Sequence, residues 1–119
     1  MHELSLATSV VETVNRHAAG RKVTSVQMKI GTMRQVVPQS LEFYFAICSK
    51  DTLCEGADFQ QEIILAKLEC KDCSRQWELE IPDFRCPSCS SIEVDVLAGS
   101  EFEVESIEVE EKEKAHAPH

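Results

Sequence analysis

Two short cysteine motifs carry the most specific chemistry in this chain. Cys70-Lys71-Asp72-Cys73 and Cys86-Pro87-Ser88-Cys89 are C-x-x-C knuckles separated by twelve residues. Each knuckle turns two thiols to one side of a tight bend. Two knuckles together supply the closed tetrahedral sulfur shell that Zn(II) accepts without a ligand-field preference of its own. With all four positions filled by protein there is no place for an activated water, so the spacing predicts a structural ion and not a catalytic one. Trp77, Leu79, Ile81 and Phe84 lie between the knuckles and can form a small apolar cap over the site. A thioredoxin-like redox pair is the competing reading. It requires a knuckle at the start of an amphipathic helix that follows a strand, and neither knuckle has that context. Cys48 and Cys54 stand apart: Cys48 falls on a helical apolar stripe, where a free cysteine packs as a small hydrophobe, while the pattern around Cys54 is ambiguous.

The start of the chain offers a different donor set. Met1-His2-Glu3 combines a terminal amine, an imidazole at position two and main-chain amides that a suitable metal can deprotonate. The amine, the His2 amide and the His2 imidazole form fused chelate rings, and the Glu3 amide closes a square plane. Such nitrogen ligation suits Ni(II) or Cu(II), not the tetrahedral zinc of the knuckles. The alternative is an exposed helix beginning, with Glu3 favourably placed at the positive helix end. His17, near the end of the same helix, reads as a solvent or dipole contact. His116 and His119 belong to a charged terminal stretch that could lend an imidazole or simply stay mobile.

Composition narrows what these groups can serve. The chain has 119 residues, 43% of them hydrophobic, which fits one ordinary domain or two small ones and excludes a large multidomain enzyme. The net charge is -9, and residues 101–119 alone hold seven acids against two bases. No Lys/Arg cluster is present to displace counterions from phosphates, so neither nucleic acid nor an anionic membrane surface is expected as a partner. No run approaches the ~18 apolar residues of a membrane span, and the basic and apolar regions of a signal peptide are absent, so a cytoplasmic location is expected. No phosphate-binding loop, Ser-His-Asp set or metalloprotease helix occurs, and no catalysis is expected.

The elements that must hold these groups follow from periodicity. Leu4, Ala7, Val10, Val11, Val14 and Ala18 recur at three- and four-residue steps, which predicts a first helix over 4–19 capped by Gly20. Val23 to Ile30 alternates as a half-buried strand ending at Gly31. Pro38 opens a second helix whose stripe is Leu41, Tyr44, Phe45 and Cys48. Residues 59–65 read as another strand. After Gly99, Phe102 and Val104 have one parity and Ile107 and Val109 the other, so a bulge near Glu105 and Ser106 would bring them to one face. That last strand is expected to return to the first module. The fold class is therefore α+β: a small mixed sheet of about three strands with two helices, plus an inserted four-cysteine zinc-ribbon domain. The implied division is 1–66 together with 99–119 for the α/β part and 67–98 for the insertion.

Over nearly its whole length the chain resembles the HypA/HybF family of hydrogenase nickel-incorporation proteins. The marks are Met1-His2-Glu3-Leu4-Ser5, Val36-Val37-Pro38 entering the second helix, Glu55-Gly56-Ala57, and the two knuckles. The resemblance implies a nickel metallochaperone whose first module binds Ni(II) through His2 and its neighbours Met1 and Glu3. It implies structural zinc on Cys70, Cys73, Cys86 and Cys89. It further implies docking to the GTPase HypB and delivery toward the [NiFe]-hydrogenase large subunit, and it leaves room for a homodimer. Cys54, where a small residue is expected, and the H-x-x-H ending at His116 and His119 lie outside the motifs. The rival class is a zinc-ribbon protein-interaction or transcription-associated module, which predicts zinc alone.

Overall fold

The computed structural model describes residues 2–79 and 84–110. The elements in chain order are α1 (His2–Ala18), β1 (Val23–Gly31), a 3-10 turn (Thr32–Arg34), α2 (Pro38–Cys48), β2 (Asp58–Ile64), β3 (Ala66–Cys70), β4 (Gln76–Leu79), β5 (Val94–Ala98) and β6 (Phe102–Val109). They make two three-stranded sheets, ordered β2-β1-β6 and β4-β3-β5. The chain divides into two compact units, one comprising Met1–Met28, Val36–Gln61 and Val104–His119 and the other Lys29–Gln35 and Glu62–Glu103.

In the first unit α1 buries Ala7, Val10, Val11, Val14 and Ala18, the stripe that its periodicity predicts. Leu4, expected on that stripe, is instead 45% exposed, one turn ahead of the first buried position. Three of the five buried residues are valines, poor helix formers, so α1 owes its stability to the packed face more than to propensity. Ala19 and Gly20, at φ 55 and 83, end the helix, and Arg16 and His17 sit in its last turn, where cations suit the negative end. α2 has Pro38 in its first turn and buries Leu41 and Phe45. The Phe45 ring stacks on Phe59 of β2 with centroids 4.3 Å apart. Thr8 of α1 meets Cys48 of α2 at 3.6 Å, which places that cysteine in the helix-helix seam.

The bulge expected on β6 alone is not what reconciles its two parities. The Lys22 carbonyl accepts from the Glu110 N–H, and the Gly31 N–H donates to the Glu101 carbonyl, so the register is the same at both ends. No residue is gained on one strand only. Burial changes parity on both strands together, between Ser25 and Val26 on β1 and between Val104 and Ile107 on β6. Residues that pair across the ladder therefore exchange faces in step.

The second unit contains the cysteine segment, and its three short strands were not foreseen from sequence. β3 pairs antiparallel with β4 and with β5, bringing Leu68 opposite both Trp77 and Val96. Ala66, Leu68 and Cys70 are buried on one face of β3, while Lys67 and Glu69 on the other face are half-buried. Gly99, at φ +108, passes so close to β3 that a Cβ there would lie 2.4 Å from the Ala66 Cα, and only glycine fits. Among the described residues no helix is long and apolar enough to cross a membrane.

Candidate metal centre

β3 delivers Cys70 at its last residue, and the turn that follows carries Cys73. Cys86 and Cys89 occupy a second turn ahead of β5. The two turns repeat one hydrogen-bond pattern. The Cys70 N–H donates to the Arg75 carbonyl at 2.8 Å and the Cys70 carbonyl accepts from the Ser74 N–H at 2.9 Å; likewise the Cys86 N–H donates to the Ser91 carbonyl at 2.9 Å and the Cys86 carbonyl accepts from the Ser90 N–H at 2.8 Å. In each turn the N–H two residues on points at the leading sulfur: Asp72 at 3.3 Å from Cys70 Sγ and Ser88 at 3.4 Å from Cys86 Sγ. Ser74 and Ser90 close the turns in the left-handed region, at φ 65 and 64. Small polar residues tolerate that conformation better than branched ones.

The four sulfurs lie within 4.8 Å of one another. Cys70 Sγ is 3.6 Å from Cys89 Sγ, and Cys73 Sγ is 3.6 Å from Cys86 Sγ. A tetrahedral ion with metal-sulfur bonds of about 2.3 Å requires sulfur-sulfur edges of roughly 3.8 Å, so the cluster has the dimensions of a Zn(II) tetrathiolate. None of the six cysteines forms a disulfide, and neither Cys48 nor Cys54 belongs to the cluster. Cys54 is fully buried, with its sulfur 3.3 Å from Thr52 Oγ1.

The electrostatics point the same way. Burial opposes ionisation of Cys86, yet the N–H groups of Cys89 and Ser88 and the adjacent thiols outweigh it and bring its pKa down to about 7. Cys89 receives the Ser91 N–H, but the Cys70 sulfur, burial and the other thiols push it up to about 12. Cys73 is also raised: the Arg75 N–H favours its thiolate, but burial and the neighbouring thiols prevail. Four sulfurs this close cannot all carry charge unaided. A divalent cation bound by Cys70, Cys73, Cys86 and Cys89 would allow them to ionise together, and the main-chain N–H groups would stabilise the resulting thiolates.

Of the apolar cap, Trp77 and Leu79 are half-buried on β4, Phe84 is 41% exposed, and Ile81 lies outside the described residues.

At the start of the chain α1 begins at His2, whose side chain is exposed. The first N–H groups of a helix have no carbonyl partner within it, so the main-chain nitrogens of this turn are not committed to the helix. The Glu3 carboxylate accepts the Val37 N–H at 3.2 Å, joining the first turn of α1 to the residue that precedes α2. That N–H holds the Glu3 carboxyl below its ordinary pKa against a smaller opposing effect of burial. Sequence reasoning missed this contact. Met1 lies outside the described residues, as do His116 and His119. His17 bonds the Thr13 carbonyl through Nδ1 at 2.9 Å, a contact within its own helix.

Comparison with known proteins fits this arrangement. The family profile described as "Hydrogenase/urease nickel incorporation, metallochaperone, hypA" matches residues 1–109. A hydrogenase maturation factor HypA from a Geobacter species is 44% identical over 110 residues, covering 92% of this chain and all of the relative. The HypA of Geotalea uraniireducens is 42% identical with the same coverage. Among solved structures, the solution structure of the nickel metallochaperone HypA from Helicobacter pylori superposes with a TM-score of 0.67 at 27% identity, over 92% of this chain and 97% of that one. The chain belongs to the HypA family of hydrogenase/urease nickel-incorporation metallochaperones.

Proposed function

We propose that this protein takes up Ni(II) at its N-terminus and hands it to the large subunit of a nickel-iron hydrogenase during maturation, without catalysing a reaction itself. The observation that carries the reading is the placement of His2 and Glu3 in the exposed first turn of α1. There the amide nitrogens of His2 and Glu3 have no helical acceptor to give up, and the His2 imidazole stands beside them. With the Met1 amine they make the four-nitrogen square plane that suits Ni(II). The Glu3 carboxylate, engaged with Val37, anchors this turn and leaves the Glu3 amide to the metal. Cys70, Cys73, Cys86 and Cys89 hold a structural zinc. The working division is a nickel-binding part, 1–66 with 99–119, and a zinc-binding part, 67–98. Direct transfer requires donor and acceptor sites to meet, so HypB and the hydrogenase precursor are expected to dock beside the N-terminus, in the cytoplasm, and a homodimer is compatible with this arrangement.

The test is calorimetric nickel titration of zinc-loaded protein in three forms: intact, His2→Ala and N-terminally extended. Nickel affinity should fall in both altered forms with zinc retained. It should also weaken as pH drops, because the ligating nitrogens shed protons on binding. Equal affinity in all three forms would remove the N-terminus from the mechanism. Zinc binding with no nickel binding would favour a plain zinc-ribbon interaction module.

A further inference from the structure

The repeated hydrogen bonds of the two knuckle turns are local to each turn, and main-chain pairing between the segments reaches no further into the first knuckle than the Lys71 N–H, among the described residues. Besides the sulfur contacts, two side-chain hydrogen bonds among the described residues cross from one turn to the other. The Ser91 hydroxyl, just beyond the second knuckle, donates to the Asp72 carboxylate inside the first. Arg75 Nη1, just beyond the first knuckle, donates to Ser88 Oγ inside the second at 2.8 Å. The exchange is reciprocal: each knuckle gives one residue from its middle and one from its exit. Ser91 is itself held, because its oxygen accepts the Glu93 N–H at 3.0 Å, and the Glu93 carbonyl accepts from Lys71 N–H at 2.8 Å. With that N–H on the Ser91 oxygen, the hydroxyl proton is directed at Asp72.

We propose that Asp72–Ser91 and Arg75–Ser88 form a clasp of positioning residues that holds the knuckles face to face and limits metal escape. The inference rests on the reading of the cluster as a zinc site. A tetrathiolate ion leaves by losing the two sulfurs of one knuckle first, and that requires the turns to part. The clasp opposes this separation without touching the metal. Partners of metal ligands that fix their orientation commonly change metal affinity by about 10- to 100-fold when removed. The Lys71–Asp95 ion pair, 3.6 Å long and with both side chains more than half exposed, is a control expected to contribute little.

The experiment uses full-length, zinc-loaded protein. Zinc content is measured first, and release into excess chelating dye is then followed for wild type, Ser88→Ala/Ser91→Ala, Asp72→Asn and Lys71→Ala. Cobalt-substituted samples report thiolate ligation by their absorption. The double variant should release zinc about tenfold faster or more while keeping a tetrahedral tetrathiolate cobalt spectrum. Asp72→Asn, which keeps an oxygen acceptor but loses the charge, should be intermediate, and Lys71→Ala unchanged. If the double variant does not fold, Asp72→Asn decides: a release rate equal to wild type overturns the clasp. Unchanged release in folded variants likewise overturns it and leaves the zinc site standing. Wild-type protein without zinc would overturn the site itself.

Discussion

Gly31 should be irreplaceable for a reason unrelated to backbone freedom. Its φ of -79 and ψ of 147 are ordinary for any residue, so Gly31→Ala would by conformational entropy alone stabilise the protein by about 0.4–1 kcal/mol. The surroundings reverse the sign. An alanine Cβ would lie 1.9 Å from the Gly99 carbonyl oxygen and 2.6 Å from the Ser100 nitrogen, both main-chain atoms with no rotamer to yield. Restoring a contact of about 3.5 Å requires the two backbones to separate by roughly 1.6 Å. The bonds that bind them are Gly31 N–H to Glu101 at 2.7 Å and Met33 N–H to Gly99 at 2.8 Å, and a shift of that size breaks both. At about 0.5–1.5 kcal/mol each, plus desolvation of buried groups left unpaired, the loss is about 2–4 kcal/mol. Urea unfolding of zinc-loaded protein, followed by the fluorescence of Trp77, the sole tryptophan, measures it. A Gly31→Ala protein as stable as wild type, or more so, would refute the steric argument. Gly20→Ala is the companion control: at φ +83 with nothing within 4 Å, it should cost about 1 kcal/mol from the left-handed backbone alone.

Cys73→Ser should release the metal and disorder residues 70–79 and 84–98, seen as collapsed dispersion of their amide signals in nuclear magnetic resonance spectra; retained dispersion without metal would deny the ion its structural role. Leu41→Ala removes a fully buried side chain from α2 and should cost about 2–5 kcal/mol in denaturant unfolding by circular dichroism, without altering zinc content. Glu3→Gln tests the tie to Val37 through pH. Because the native carboxyl titrates below its ordinary value of 4.5, its contribution is fully present above that value and is lost as pH falls through the native pKa. Wild type should therefore be the more stable at neutral pH, the gap to Glu3→Gln closing in acid; a gap that widens on acidification would contradict the assignment.

How much of this was legible in the sequence depended on length scale. α1 and α2 declared themselves because burial of Ala7, Val10, Val14, Leu41 and Phe45 follows the helical period over several turns. The knuckles were legible because sulfur ligation fixes spacing more tightly than packing does. β3, β4 and β5 were not, since four or five residues give too few alternations to separate a strand from a loop. The two parities of β6 show in its sequence, but one strand cannot reveal that its partner changes face in the same place. The Glu3–Val37 bond joins residues 34 apart and leaves no local mark. Cys48, expected from its stripe to pack as a small buried hydrophobe, is half-buried with its sulfur 3.6 Å from the Thr8 hydroxyl.

The duplicate hydrogen-bond pattern of the two turns bears on how the centre assembles. Each turn closes through contacts spanning only a few residues, from Cys70 to Arg75 and from Cys86 to Ser91, so each can present a bidentate thiol pair before the other exists. A first pair that captures an ion converts the arrival of the second into an intramolecular event at high effective concentration. Metal uptake by the unfolded chain should consequently show two kinetic phases, a bimolecular capture that depends on zinc concentration and a later closure that does not.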